Sequence, residues 1–240
     1  MSYAARRGPR TGVTLWRVRS SGHHHVVPDG VLDLMWFQHR LVVAGPDTRA
    51  MAVHTAPEEV TWGLRMPPGV AHALLGVPAD ELTDRRVALS ELVALPARSF
   101  DDDPAGALEQ VFLDLWTRAD PDRAALRLAA SLDRAARDGL GVRETAQRHG
   151  LSERSLRRVS TRVFGYGLKT LARIHRFQRA LHLARSGLSL AEAAATAGYV
   201  DQAHFTRETT RLAGRTPAEL TGSWPIRPSQ AAPARGEVRA

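Results

Sequence analysis

Arg154, Arg157, Arg158 and Thr161 stand at i, i+3, i+4 and i+7, so a helix over this stretch brings three guanidiniums onto one face. Held side by side, they repel one another unless an anion lies against them. The major-groove edge of guanine offers two acceptors that suit the guanidinium fork, and phosphates take the remaining donors.

The other side chains with chemical potential are worse placed. His23, His24 and His25, with His39, His54 and His72, supply imidazoles of the kind that hold zinc, iron or nickel. Successive strand residues point to opposite faces, so only His23 and His25 of the run could converge. No Glu accompanies them at cupin spacing, and a solvated His-rich loop accounts for the run. Asp29, Asp33 and Asp47 have the form of acid/base carboxylates, although Asp in "PDG" and "GPDT" is more simply turn chemistry. Trp36, Phe37 and Trp62 could line an effector pocket or fill a core. His204 has no catalytic partner, and no catalytic residue, metal site or cofactor is assigned.

Composition narrows the classes. The 240 residues contain no cysteine, which excludes disulfides, thiolate zinc sites and a Cys nucleophile. There is no run of eighteen apolar residues to span a membrane, and no apolar segment follows "MSYAARRGPR" as a signal peptide requires. A cytoplasmic protein without membrane contact is expected. Residues 140–222 hold fourteen Arg and Lys against six Asp and Glu, a surplus of eight that equals the net charge of the whole chain. A basic region beside a nearly neutral one fits a polyanion partner.

The elements that must carry these residues differ between the two halves. From 13 to about 77, "VTLWRV", "VLDLMWF", "RLVVAG", "MAVHT", "VTWGLRM" and "VAHALLGV" alternate with "SSGHHH", "PDG", "GPDT", "APEE" and "PPG". Strand-length runs between such breaks predict an antiparallel sheet or small barrel. Asp103-Pro104 and Asp120-Pro121 then read as the starts of two helices, with Leu108, Val111, Phe112, Leu115 and Trp116 forming the apolar stripe of the first. These helices would pack on the sheet or on a second subunit, packing within the chain being the more usual.

The stretch from Val142 to Gly165 recurs about 48 residues later. Glu144 aligns with Glu192, Ala146 with Ala194 and Gly150 with Gly198. After one extra residue, Ser152 aligns with Asp201, Leu156 with Phe205, Arg158 with Arg207, Arg162 with Arg211 and Gly165 with Gly214. Each copy reads as a short helix ending at glycine, a tight turn, a Ser or Asp cap and a second helix, which is a helix-turn-helix. In the first copy Leu156, Val159 and Val163 form the buried face. In the second, Phe205 and Leu212 are buried and Ala203, Thr206, Arg207 and Thr210 are exposed, with Gln202 at the helix start. Residues 166–189 read as one long helix between the copies, stopped at Gly187. It would set two reading heads on successive major grooves, roughly 34–36 Å apart.

Residues 140–222 resemble the DNA-binding domain of the AraC/XylS family of transcription regulators. The resemblance rests on "LSERSLRRV", on "RFQRALHLARSGLSLAEAAATAGYVDQAHFTRE" and on "GRTPAEL". It implies that the second helix of each copy enters the major groove. Arg154, Arg157 and Arg158 would then read bases in the first copy, and Ala203 and Arg207 in the second. Ser160 and Thr209 stand where this family has large apolar residues, which implies looser packing behind both helices. Residues 20–95, with "VVPDGVLDLMW" and "LVVAGPDTRA", resemble the cupin-like N-terminal region of a subgroup of these regulators. The family implies a small-molecule effector, a homodimer through this half, and RNA polymerase as partner of an activator.

The expected fold is α+β: a disordered 1–12, a β-rich sensing or dimerisation domain over 13–100, a helical connector over 101–139, two helix-turn-helix motifs joined by a long helix over 140–222, and a disordered Pro-rich tail over 223–240. The expected function is sequence-specific binding of double-stranded DNA in transcription regulation, without enzymatic activity. The alternative is a metal-dependent cupin-fold enzyme with a basic helical appendage. A DNA-repair methyltransferase fused to such a domain needs a Cys acceptor and is excluded.

Overall fold

The computed structural model describes residues 2–222; the expected disordered tail lies outside them. The fold is α+β. Six strands, β1 (Ser2–Arg7), β2 (Thr14–Val26), β3 (Leu32–Phe37), β4 (Arg40–Ala44), β5 (Met51–Met66) and β6 (Arg86–Ala88), form one antiparallel sheet in the order β1-β2-β5-β3-β4-β6. Alternation along β2 sends Leu15 to one face and Trp16 to the other. Leu15, Leu34, Val43 and Leu64 meet α1 (Val70–Leu75), α2 (Leu89–Leu92) and α3 (Pro104–Ala119), while Trp16, Val18, Met35 and Ala44 form a smaller cluster opposite.

The second core belongs to α4 (Arg123–Arg137), α5 (Val142–Arg148), α6 (Glu153–Phe164), α7 (Leu168–Arg185), α8 (Leu190–Ala197), α9 (Gln202–Ala213) and α10 (Pro217–Gly222). Helix α7 runs through its middle, with Leu171, Ile174, Phe177, Ala180 and Leu181 wholly buried.

Several local expectations are corrected. Residues 2–7 are a strand rather than disordered, because β1 pairs along β2 and Tyr3 stacks on Trp16 with ring centroids 6.4 Å apart. Behind that strand the Glu109 carboxylate accepts from the N–H groups of Arg10 and Thr11 and from the Thr11 hydroxyl. "SSGHHH" is strand, since β2 runs through it opposite β5. "APEE" is not a turn but the place where β5 bulges, with Ser20 facing Glu59 and Gly22 facing Thr55. "VAHALLGV" supplies helix α1, between left-handed Gly69 and Gly76. A short apolar run fits either element by periodicity, and the helix propensity of Ala and Leu decides it.

The connector does not act as one unit. Asp120 closes α3 with a left-handed residue, and Asp122, two residues later, caps α4 by accepting from the Ala124 N–H. Helix α3 packs under the sheet, whereas Leu132 and Ala136 of α4 join the helical core. Asp133 Oδ1 lies 2.8 Å from His175 Nε2 on α7, and its Oδ2 accepts from Arg137 Nε at 2.7 Å. Burial alone would push the Asp133 carboxyl up; His175 and Arg137 overcome it and hold the group below the usual carboxylate range.

Asp133→Ala is expected to cost about 1–3 kcal/mol in urea unfolding, because the buried His175 ring loses its hydrogen-bond partner. Since the folded pKa is depressed, this stabilisation is complete above the ordinary carboxylate range and is lost as pH falls through the folded value. The stability difference between wild type and variant should therefore shrink in acid and stay constant near neutrality.

Candidate nucleic-acid interface

Both repeat copies fold as helix, tight turn and helix. Gly150 (φ 62°) and Gly198 (φ 87°) take the left-handed conformation that lets the chain leave the first helix, as a residue with a Cβ rarely does. Ala146 and Ala194 are buried where the two helices of each copy cross. Ser152 then accepts from the Ser155 N–H, and Asp201 from the His204 N–H, so each second helix starts on a side-chain cap.

Arg154, Arg157 and Arg158 are exposed on α6, with Thr161 half-buried beside them. On α9 Gln202, Ala203 and Arg207 are exposed, and half-buried Thr206 donates its hydroxyl to the Gln202 carbonyl at 2.9 Å. Among the described residues, none of these four arginines has an ion-pair partner. The buried face of α6 is Leu156, Ser160 and Phe164; Val159 and Val163, expected there, are half-buried at its margins.

The second head carries a polar brace absent from the first. Glu208 of α9 receives the Arg176 guanidinium at 3.0 and 3.1 Å and the Tyr199 hydroxyl at 2.9 Å, while Arg176 lies over the Tyr199 ring, 4.5 Å from its centroid. Burial, and then the Glu208 charge, push the Tyr199 hydroxyl above its usual range, so it remains a donor. His204 sets its ring edge-on to Tyr199 at 5.2 Å, as part of this brace.

A basic groove between the two copies escaped the sequence reading. A cavity of about 860 Å³ is walled by the α4–α5 turn on one side and the end of α8 on the other. Its floor is one face of α7, bearing Lys169, Arg173, Arg176 and Arg179. Lys169 and Arg179 are exposed, and neither they nor Arg173 have an ion-pair partner among the described residues. The spacing 169, 173, 176 was the available signal; the apolar positions of the same helix obscured it.

The histidines do not converge. His23 pairs across the sheet with His54, ring centroids 4.5 Å apart, His39 sits edge-on to Trp36, and His72 Nδ1 meets the Val77 carbonyl. Among the described residues no three His, Asp or Glu side chains form a group that could hold a metal. The three aspartates are all ion-paired, Asp29 and Asp33 with Arg65 and Asp47 with Arg86, and Asp29 also serves its turn by accepting from the Val31 N–H at 3.3 Å. Trp36 stacks on Phe100 at 4.2 Å, and Arg17 lies over Trp62.

Residues 145–222 match the family model of a helix-turn-helix domain. Residues 145–222 are thus a helix-turn-helix domain of AraC type. Residues 13–88 match a domain of unknown function, DUF6597. No curated relative matches the chain. Among solved structures, ToxT from Vibrio cholerae O395 has a TM-score of 0.50 and 9% identity, over 85% of this chain and 95% of that one. A further ToxT structure from Vibrio cholerae gives 0.49 and 10% over 92% and 98%, as does ToxT bound to (E)-4-(8-methylnaphthalen-1-yl)but-3-enoic acid. At such identities the shared property is the fold: an antiparallel sheet followed by the helical domain.

The looser packing implied at Ser160 and Thr209 takes a specific form here. Both side chains are wholly buried, and neither hydroxyl has a hydrogen-bond partner among the described residues. A buried, unsatisfied hydroxyl costs about 1–3 kcal/mol. Thr209→Val should therefore raise stability by about 1 kcal/mol, seen as a higher Tm in thermal unfolding.

Proposed function

We propose that this chain is a sequence-specific DNA-binding transcription regulator that reads two adjacent major-groove segments. What supports it above all is the duplicated helix with an outward, unpaired arginine at the same place, Arg158 and Arg207. In this reading Arg154, Arg157, Arg158 and Thr161 contact bases and phosphates through α6. Gln202, Ala203, Thr206 and Arg207 do so through α9, and the shorter, less charged reach of α9 makes it the lesser contributor. The groove along α7 takes backbone phosphates between the heads, with Lys169 and Arg173 as point charges.

The same reading gives residues 13–100 a sensing or dimerisation role, with no catalysis, in the cytoplasm. Among the described residues no helix is long and apolar enough to cross a membrane. A cavity of about 290 Å³ between β1, β2 and β5, lined by Trp16 and Trp62 together with Arg6 and Arg17, is where a small apolar anion would bind as effector. A second copy docking through the N-terminal half, and RNA polymerase in the case of activation, complete the partners. The metal-dependent enzyme is disfavoured by the dispersal of the histidines.

Selection from random duplexes by the full-length protein at low salt tests the reading, which is lost if no sequence is enriched. Arg158→Ala should weaken binding to the selected site by about 1–3 kcal/mol and relax preference at one position. Replacing Lys169 and Arg173 together by Ala should instead lower the slope of log affinity against log salt by about 2, with the preferred sequence unchanged.

A further inference from the structure

The loop between β4 and β5, residues 45–50, touches the C-terminal end of both recognition helices. Pro46 packs against Gly165, the left-handed cap of α6, and four residues later the Ala50 N–H donates to the Leu212 carbonyl in the last turn of α9 at 2.7 Å. Thr83, from the neighbouring turn, donates its hydroxyl to the Gly165 carbonyl at 3.1 Å.

The loop is built to hold that position. Asp47 takes both terminal nitrogens of Arg86 at 2.9 and 2.7 Å. Thr48 gives its N–H and its hydroxyl to the two oxygens of Asp84 at 2.7 and 2.6 Å. Two backbone bonds cross between the same segments, Gly45 N–H to the Arg85 carbonyl and Asp84 N–H to the Pro46 carbonyl. The approach is so close that a Cβ at Gly45 would collide with the Leu82 carbonyl. None of these groups touches the faces assigned to DNA.

We propose that this wedge is a positioning element for DNA recognition: it fixes the angle between α6 and α9 and thereby the half-site spacing that the protein accepts. The proposal rests on the DNA-binding reading above. Its mechanics follow from lengths. Four residues of chain put the two contact points on the loop at most about 14 Å apart. Each recognition helix has 12 residues and extends about 18 Å from there. A tilt of roughly 10° at the wedge therefore moves the base-reading end by about 3 Å, close to the ~3.4 Å step between base pairs. Helix α7 holds the heads together at their shared core, and the wedge removes the remaining freedom at their far ends. Selectivity for spacing is accordingly a property of the full chain, because half of the device belongs to the N-terminal sheet.

The test uses full-length protein and the site it selects, rebuilt with the half-sites moved by one and two base pairs in each direction. The double variant Thr48→Val, Thr83→Val removes two hydroxyl donors at nearly constant volume. Thr48→Ser, Thr83→Ser keeps them. The wild type should discriminate sharply between spacings. The Val pair should lose roughly 2- to 30-fold of that discrimination, the range expected when a coupling contact is removed, and the Ser pair should keep it. Should the Val pair not fold, Asp47→Asn, which weakens the Arg86 tie alone, takes its place under the same outcomes. A wild-type spacing profile in the variant overturns the proposal, and so does a uniform loss or gain at every spacing. If the wild type itself selects no sequence, the DNA-binding reading fails first, so the two failures are distinguishable.

Discussion

The architecture depends on the burial of α7 from several sides at once. An 18-residue helix whose Leu171, Ile174, Phe177, Ala180 and Leu181 are wholly covered must find partners around most of its circumference. Helices α6, α8, α9 and α10 supply them on one side and α4 on another. The loop before β3 covers a further side: the Gln178 side-chain amide donates to the Pro28 carbonyl, and Gly30 lies so near His175 and Leu171 that a Cβ there would crowd both. One rigid element thus sets the distance between the copies and also carries the docking surface of the N-terminal half.

Charge is sorted by the same geometry. Arginines that face the interior of the fold are matched to carboxylates, as Arg65 is to Asp29 and Asp33, Arg86 to Asp47, and Arg176 to Glu208. Arg185, half-buried, has only the Leu220 carbonyl, and burial pushes its pKa down to about 10. Arg154, Arg157, Arg158 and Arg207, on the outer faces of α6 and α9, have no such partner among the described residues. Exposed like charges repel only modestly in water, so the fold tolerates them at small cost.

Much of this was legible in the sequence, for reasons that can be named. The two helix-turn-helix units repeat, and their glycines, caps and small crossing residues are local signals that need no tertiary information. The sheet was legible as a class, but its element boundaries were not. "APEE" and "SSGHHH" carry turn residues yet sit in a bulged ribbon, because pairing between β2 and β5 outweighs local preference. Asp120-Pro121 read as a helix start, whereas Asp120 is the left-handed end of α3 and Asp122 caps α4 two residues later, a shift no local signal reveals. The aspartates of "PDG" and "GPDT" were read as turn chemistry; their arginine partners lie 36 and 39 residues away in the chain, beyond any local pattern.

The two copies share a fold but not a way of holding it together. At corresponding positions the first has Leu151 and Val159, packed against the helical core, where the second has Tyr199 and Glu208, tied to Arg176. The residue inserted in the second turn, Val200, is the one large apolar side chain standing exposed among the described residues. An apolar contact tolerates small rotations of a helix, since its energy depends on area rather than direction. The Arg176–Glu208–Tyr199 arrangement is directional and resists them. The second head, with fewer charges, is therefore held by directional bonds, and the first, with three arginines, by apolar packing and by the contacts of Thr83 and Pro46 at the end of α6. Two units held together so differently gain a common reference from outside either one, in the contacts that the N-terminal half makes at the far ends of α6 and α9.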